Sequence, residues 1–175
     1  MPVQVKMKLC AVLGALTLSW SFPLHASAEA PSQGVPPDCL LMNLSPYSAL
    51  QGLDISTASQ TIAHFDVEIA DNNRTREQGL MCRPALGEKQ GMLFEFQDVS
   101  ERTFWMQNTL IGLDIIYIGP DGRIVSIQKD AKPLDRTPLP SEGVASGVLE
   151  IDAGLSVKLG LKPGDVVIHP FFHRP

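Results

Sequence analysis

The sequence lacks the features that would assign it to most common protein classes. Only three cysteines occur in 175 residues, too few for a dense disulfide scaffold or for a zinc site with four cysteine ligands. Aromatic residues make up 6% of the chain, and no basic block offsets the formal net charge of −5, which argues against a protein that tracks nucleic-acid phosphates. Hydrophobic residues nevertheless reach 44%, enough to bury the core of one ordinary domain.

The motifs of common cofactor and catalytic sites are also absent. No glycine-rich segment is followed by Lys-Ser/Thr as in a phosphate loop, and neither Gly-x-Ser-x-Gly nor Cys-x-x-Cys occurs. His169 and His173 have a spacing that binds metals on a helix, but Pro170 between them forbids a regular helix, so we expect a solvated tail. The sequence therefore predicts no metal site and no cofactor.

The N-terminal segment has the organisation of a cleaved secretion signal. Two lysines precede an apolar stretch at 9–20, which is shorter than the roughly 20 residues of a membrane span. The segment closes at 26–28 with Ala-Ser-Ala, whose small residues suit signal peptidase. We therefore expect residues 1–28 to be removed and the mature protein to be periplasmic or secreted, without stable membrane insertion. A retained membrane anchor is the alternative.

The remaining chain divides into a polar arm and one β-rich domain. Residues 29–60 are rich in Pro, Ser, Gly and Gln without a sustained period, which predicts a flexible arm or linker. From 61 to 170, short apolar segments separated by turn residues predict strands, and no strand–helix–strand repeat occurs. We therefore predict a mainly β domain, an antiparallel sandwich or barrel-like sheet with two short helices, followed by a tail at 171–175.

The same patterns predict the individual elements. The proline-containing segment at 131–143 is expected to be a surface loop. Helices are predicted at 74–81, capped from 71–73, and after Asp152, ending at Gly160. Strands are predicted at 62–69, 91–96, 103–106, 113–118, 123–127, 147–151 and 166–168.

Polar side chains interrupt several apolar segments. Asp114 and Glu150 each interrupt the apolar residues of a predicted strand, and burying an ionised carboxylate there would cost several kcal/mol unless it had a partner. One interpretation is a structural ion pair between Arg83 and either acid. A second is plain exposure of these side chains to solvent. The third is a ligand pocket in which Trp105 offers a flat face to a sugar ring or another planar group. That pocket would be formed by Arg83, Trp105, Asn108, Asp114 and Glu150.

Three functions are compatible with these residues. A noncovalent binding module for a small polar ligand, a glycan or an envelope partner needs only a shaped surface, and we favour it because nucleophile and metal motifs are missing. A hydrolase-type enzyme would use Asp114 and Glu150 as acid and base. Soft-metal (copper) binding would use sulfur-containing side chains that could equally pack in a core. These are Met81, Cys82, Met92 and Met106.

A series of motifs in one order resembles a known family. The motifs are Gly79-Leu80-Met81-x-Arg83, Gly91-Met92-Leu93-Phe94-x-Phe96, Phe104-Trp105-Met106-x-Asn108-Thr109, Leu113-Asp114, Asp121-Gly122-x-Ile124-Val125, Val148-Leu149-Glu150 and Gly164-Asp165. They resemble Domain of Unknown Function 192, which is found in bacteria and archaea, often behind a signal peptide, over about residues 65–169. The resemblance implies a compact, mostly β domain with short helices near Gly79 and Gly154. It supplies no activity, cofactor or substrate.

The cysteines depart from that family pattern. Relatives usually carry an aromatic residue where this chain has Cys82, and Cys39 lies outside the matched segment. In an exported chain these two would meet an oxidising environment, which favours a disulfide that ties the arm to the domain. The alternative is a small buried thiol at Cys82 and a free Cys39.

Overall fold

A computed structural model describes residues 34–41, 49–56 and 62–173 of the chain. The strands are β1 (Gln51–Ser56), β2 (Ile62–Ala70), β3 (Gln90–Phe104), β4 (Leu113–Ile118), β5 (Ile124–Ala131), β6 (Leu139–Asp152) and β7 (Val166–Ile168). The helices are α1 (Pro37–Leu41), α2 (Asn73–Gln78) and α3 (Leu155–Lys158), followed by a 3₁₀ helix at Pro170–His173. The predicted mainly β class is confirmed.

Within the described residues the strands form one curled sheet in the order β5-β4-β6-β3-β2-β1-β7. Neighbouring strands run antiparallel except β2 and β3, which are parallel. The edges of the sheet approach each other, since Arg123 before β5 pairs with Val166 of β7. The Val167 N–H also donates to the Gly122 carbonyl at 2.8 Å. Of the two predicted architectures, the sheet is therefore the barrel-like one.

The sheet buries side chains on both faces. The inner core receives residues from every strand, among them Leu53, Phe65, Leu93, Ile116, Ile124, Leu149, Ile151 and Val167. The outer core lies on the opposite face and includes Leu80, Met92, Phe94, Met106, Leu113, Ile115, Tyr117 and Val148. Strand β4 contributes alternate residues to both cores, so all of its residues are buried. This explains why its sequence is a nearly continuous apolar run.

Local sequence sets where the helices begin. Asn72 caps α2, because its side-chain oxygen accepts from the Thr75 N–H at 3.1 Å while Thr75 Oγ1 accepts from the Asn72 N–H at 3.2 Å. The predicted cap of α3 at Asp152 is wrong, because that residue ends β6. Helix α3 instead begins after Gly154, whose φ of 80° lies in the region that glycine enters without strain.

Strand β1, residues 51–56, belongs to the segment that the sequence pattern predicts to be a flexible arm. It pairs with both β2 and β7, and its apolar residues Leu53 and Ile55 are fully buried. In the sequence these two residues are the only sign of the alternation that is typical of a strand. Gly52 and Asp54, which alternate with them, are residue types that disfavour strands. Hydrogen bonding from two neighbouring strands overrides that weak local preference.

Strands β3 and β6 are longer than predicted. The two strands expected at 91–96 and 103–106 are joined through a polar stretch into β3, and β6 begins at Leu139, inside the segment expected to be a loop. Their pairing shifts register between Glu95 and Ser100 and again between Glu101 and Thr103. Such bulges let polar and proline-containing stretches remain in a ladder, so composition alone does not reveal the strand.

The C-terminal end of the described chain packs against the sheet. Phe172 belongs to the inner core, and His169 is 2% exposed with its Nε2 atom 3.2 Å from Gln51 Oε1. The expectation that His169 is solvated is therefore wrong, while the side chain of His173 lies outside the described residues. No group of three or more potential metal ligands occurs in the described part of the chain.

The predicted signal sequence at 1–28 lies outside the described residues. Among the residues that are described, no helix has both the length and the apolar character needed to cross a bilayer.

Candidate functional site

A disulfide bond joins Cys39 of α1 to Cys82, with their Cα atoms 5.3 Å apart, and confirms the predicted pairing. The bond closes a loop of 43 residues, for which the chain-entropy model gives about 4 kcal/mol of stabilisation. Cys82 has a φ of 62°, and its N–H donates to the Asn108 carbonyl at 2.8 Å. The disulfide therefore fixes α1 to a turn that is itself bonded to the turn after β3.

Arg83 forms an ion pair, but with neither of the acids proposed for it. Its Nη1 and Nη2 atoms donate to the two carboxylate oxygens of Glu68 at 2.6 and 2.7 Å. Both side chains are largely buried, and the two-pronged geometry is the one that best suits a guanidinium and a carboxylate. Arg83 therefore takes part in a structural ion pair, but the expected partners, Asp114 and Glu150, are wrong: its partner is Glu68 on β2, which the sequence did not indicate.

Asp114 accepts hydrogen bonds from two backbone N–H groups on the inner side of the sheet. Its side chain is fully buried, with Oδ1 accepting from the Asp130 N–H at 2.8 Å and Oδ2 accepting from the Ser156 N–H at 2.8 Å. These bonds connect β4 to the end of β5 and to the first turn of α3. Since both oxygens are occupied by backbone donors, Asp114 has a structural role.

Asp114 and Glu150 face opposite sides of the sheet. In the β4–β6 register Asp114 pairs with Ile151, and Ile115 pairs with Glu150. Paired residues share a face, and successive residues of a strand alternate between faces. Ile151 belongs to the inner core and Ile115 to the outer core. The acid–base pair required by the hydrolase hypothesis is therefore not assembled.

Glu150 lines a cavity of about 240 Å³ on the outer face. The wall is mainly apolar and consists of Leu80, Met81, Phe94, Phe96, Phe104 and Trp105. Polar or charged atoms come from Arg76, Glu77, Thr103, Thr109 and Glu150. Trp105 is 56% exposed, so it lies at the rim, whereas Glu150 is 4% exposed. Of the five residues expected to converge, the structure brings Trp105 and Glu150 together.

The Glu150 carboxyl is buried without an internal partner. Within the described residues neither a hydrogen bond nor an ion pair reaches it, and burial raises its pKa to about 8. Burial also raises the pKa of Tyr117, with a further contribution from the negative charge of Glu150. At neutral pH Glu150 is therefore mostly a neutral acid that can donate a hydrogen bond or release its proton to a partner in the cavity.

Close contacts between β3 and the turn after α2 form the cavity wall. Gly79 has a φ of 46°, and a Cβ atom at this position would lie 3.3 Å from the Phe94 ring. Glycine therefore allows the turn to close over that ring. The Phe94 and Phe104 rings meet edge to face with centroids 5.0 Å apart, an arrangement that holds both rings in place.

Arg76 of α2 lies at the cavity with two of its five N–H donors engaged by neighbouring residues. Its Nη1 atom donates to the Glu95 carbonyl at 2.8 Å, and its Nη2 atom donates to Asn73 Oδ1 at 2.7 Å. The guanidinium also lies 5.2 Å from the centroid of the Phe96 ring. Sequence reasoning missed Arg76 and the phenylalanines of the wall, although Phe94 and Phe96 at a spacing of two indicate one face of a strand.

Asn108 shapes the turn after β3 and is not among the residues that line the cavity. Its φ is 55°, its carbonyl accepts from Cys82, and its side-chain amide donates to Asp38 Oδ2 at 3.4 Å. Met92 and Met106 are fully buried in the outer core. Because Cys82 is held in the disulfide, the proposed copper site has no thiolate.

Comparison with known proteins agrees with the fold. The family model DUF192, described as an uncharacterized ACR, matches residues 54–169. A protein of unknown function from Novosphingobium aromaticivorans has a crystal structure with 37% identity and a TM-score of 0.67, covering 71% of this chain and 94% of that one. A Sinorhizobium meliloti crystal structure, described provisionally as a transcription regulator, has 34% identity and a TM-score of 0.69, covering 71% and 96%. No curated protein matches the chain.

Proposed function

The chain belongs to the DUF192 family, and we propose that it is a noncovalent binding module that holds one small ligand in the cavity above Glu150. One observation supports this most strongly: a carboxyl that is 4% exposed faces a cavity and has no partner in the described part of the chain. Burying an unpartnered polar group opposes folding. Such a group beside a cavity is therefore a candidate for contact with a ligand.

The lining favours a small molecule with a flat apolar surface and a polar group. Phe94, Phe104 and Trp105 supply the apolar contacts, while Glu150 and Thr109 supply hydrogen-bonding atoms. The volume of about 240 Å³ is below the range of roughly 300–1,000 Å³ that is common for ligand pockets. A single ring or monosaccharide-sized ligand therefore suits the cavity better than an extended glycan.

Binding also accounts for the described geometry better than the other two hypotheses. The hydrolase hypothesis needs two cooperating carboxyls, and Asp114 lies on the other face of the sheet. The copper hypothesis needs a soft donor set at one position, and Cys82 is bonded to Cys39.

Saturation-transfer-difference NMR with three neutral probes, indole, phenol and methyl β-glucoside, tests the proposal. We expect saturable binding of at least one probe, weakened at least fivefold by Trp105→Ala because the rim loses its flat surface. Val144→Ala is the matched control, since Val144 is 51% exposed and is not part of the cavity. Failure of the whole panel to bind, or equal loss in both variants, would contradict the proposal.

We also propose that the chain is exported and cleaved after Ala28. The support is the N-terminal pattern of lysines, apolar residues and small residues, together with a disulfide of the kind that persists in oxidising compartments. Intact-mass measurement of the periplasmic or secreted fraction is expected to find a chain without residues 1–28. A full-length chain in the membrane fraction would contradict this proposal.

A further inference from the structure

We infer that the ligand of this cavity is a small organic cation, a protonated amine whose ammonium group pairs with Glu150 while its apolar body lies against the aromatic wall. The inference rests on the proposed function, because it names the chemical class of the ligand for the same site.

The carboxyl at the buried end of the cavity accepts no hydrogen bond from the described residues. Glu150 lies between Met92 of β3 and Ile115 of β4 on the outer face, and neither neighbouring side chain can donate to it. Its two oxygens therefore remain available to a molecule in the cavity. An ammonium group carries three N–H donors and one positive charge, which are the two features that stabilise a buried carboxylate.

The aromatic wall favours the same charge. Phe94, Phe104 and Trp105 line the cavity, and the face of an aromatic ring carries a negative partial charge that attracts cations. A cation that meets one of these ring faces would therefore be favoured by the ring as well as by the carboxylate. An anionic ligand would be repelled by the ring faces and, once Glu150 has lost its proton, by the negative charge of its carboxylate.

The cation already present in the lining does not neutralise Glu150. The guanidinium of Arg76 is engaged by the Glu95 carbonyl and by Asn73, and it lies against the Phe96 ring. No ion pair joins Arg76 to Glu150 in the described part of the chain, and Glu77 beside it on α2 is an exposed acid. The net charge that a ligand meets inside the cavity is therefore zero or negative.

Proton exchange makes the binding dependent on pH. The charged or titratable groups facing Glu150 are Arg76 and Glu77 from α2 and Tyr117 from β4, while Glu68 of β2 is paired with Arg83. Burial raises the pKa of Glu150 to about 8, so the empty cavity holds a proton at pH 7. An ammonium ligand displaces that proton, and its affinity is expected to rise about tenfold per pH unit up to pH 8.

Isothermal titration calorimetry with three probes of one shape tests the inference: benzylamine is a cation, benzyl alcohol is neutral and benzoate is an anion. At pH 8 we expect benzylamine to bind at least tenfold more tightly than benzyl alcohol, with benzoate the weakest. Benzylamine affinity is expected to fall about fifty-fold from pH 8 to pH 6 as Glu150 protonates. Titrations at pH 6 in buffers of different ionisation enthalpy are expected to show release of about one proton per ligand.

Two variants measure separately how much the Glu150 carboxylate and the Trp105 ring contribute to benzylamine binding. Glu150→Gln keeps the shape of the side chain and is expected to remove both the preference for benzylamine and its pH dependence, while benzyl alcohol still binds. Trp105→Leu is expected to weaken benzylamine at least threefold more than benzyl alcohol, because the ring face at the rim is lost. Glu101→Gln, an exposed acid on β3 that does not line the cavity, is the matched control and is expected to change neither affinity.

The outcomes distinguish this inference from the proposed function. Equal affinity for benzylamine and benzyl alcohol without pH dependence would overturn the cationic ligand and leave the binding module intact. Tightest binding of benzoate would also overturn it and would identify Arg76 as the anchor. If none of these probes and none of the neutral panel bound, the proposed function itself would fall.

Discussion

Asp114 on β4 and Glu150 on β6 lie one register position apart on paired strands, but they face opposite sides of the sheet. Both side chains are at least nine-tenths buried. Both oxygens of Asp114 accept backbone N–H groups, whereas Glu150 faces a cavity and has no partner in the described structure. The difference shows that burial by itself does not identify a functional acid. What distinguishes the two is whether the fold supplies their hydrogen-bond partners.

The largest expected effect comes from removing the Glu150 carboxyl. Its pKa rises from 4.5 to about 8 on folding, so between these values the unfolded chain ionises while the folded protein keeps its proton. The free energy of unfolding contributed by this group therefore falls as pH rises through that window. From pH 4 to pH 9 the stability of Glu150→Met is expected to improve relative to the parent protein by up to about 5 kcal/mol.

Urea denaturation at both pH values measures this effect. Glu101→Gln serves as the control, because an exposed acid is expected to show almost no such change with pH. A difference between Glu150→Met and the parent protein that stays constant with pH would mean that Glu150 is as well accommodated as Asp114.

The second effect concerns the covalent bond on the cavity side of the sheet. Replacing Cys39 and Cys82 together by serine is expected to lower the free energy of unfolding by about 4 kcal/mol, since the loop between them is no longer closed. Hydrogen exchange in this variant is expected to speed up at the amide of position 82 and to change least at Asp130 and Ser156, whose amides bond to Asp114. Equal loss of protection at all three positions would show that the two faces unfold as one unit.

The third effect tests the structural acid. Asp114→Asn turns one acceptor into a donor facing a buried N–H, and we expect a loss of about 3 kcal/mol in denaturant titration. Asp152→Asn, a half-buried neighbour at the end of β6, is the control and is expected to cost less than about 0.5 kcal/mol. Probe binding by Asp114→Asn should match the parent protein. Weaker probe binding by Asp114→Asn would instead show that a change on the inner face of the sheet alters the cavity on the outer face.

The smallest effect separates the rim of the cavity from its wall. Trp105 is 56% exposed, so Trp105→Ala is expected to cost less than about 1 kcal/mol in thermal denaturation while weakening probe binding. Phe94→Ala, at a side chain that is 1% exposed, is expected to cost about 3 kcal/mol or more. Equal costs would mean that Trp105 is a core residue.

Strong local signals predicted several elements correctly. The Asn72 cap marks α2, and the turn residues from Gly119 to Gly122 mark the β4–β5 hairpin, because capping and turn chemistry depend on neighbouring residues. The full lengths of β3 and β6 and the existence of β1 were not predicted. Those features depend on pairing with distant strands, which the composition of one segment does not reveal.

The candidate site was predicted in part, for a related reason. Arg83, Asp114 and Glu150 were all chosen as site residues because each is a charged residue within an apolar segment. The sequence does not show what such a side chain contacts, so it could not separate the three. The structure assigns Arg83 to Glu68 and Asp114 to backbone donors. Glu150 lines the cavity together with Trp105.

The sequence by itself determined the mainly β class, the placement of the two acids within apolar segments and the cysteines able to pair. Only the tertiary structure decided which side of the sheet each acid faces, because successive residues alternate and a shift of one register position exchanges the two faces. It also decided that two backbone N–H groups reach Asp114 from β5 and α3. No donor reaches Glu150 in the described residues, and its pKa follows from that arrangement of distant segments.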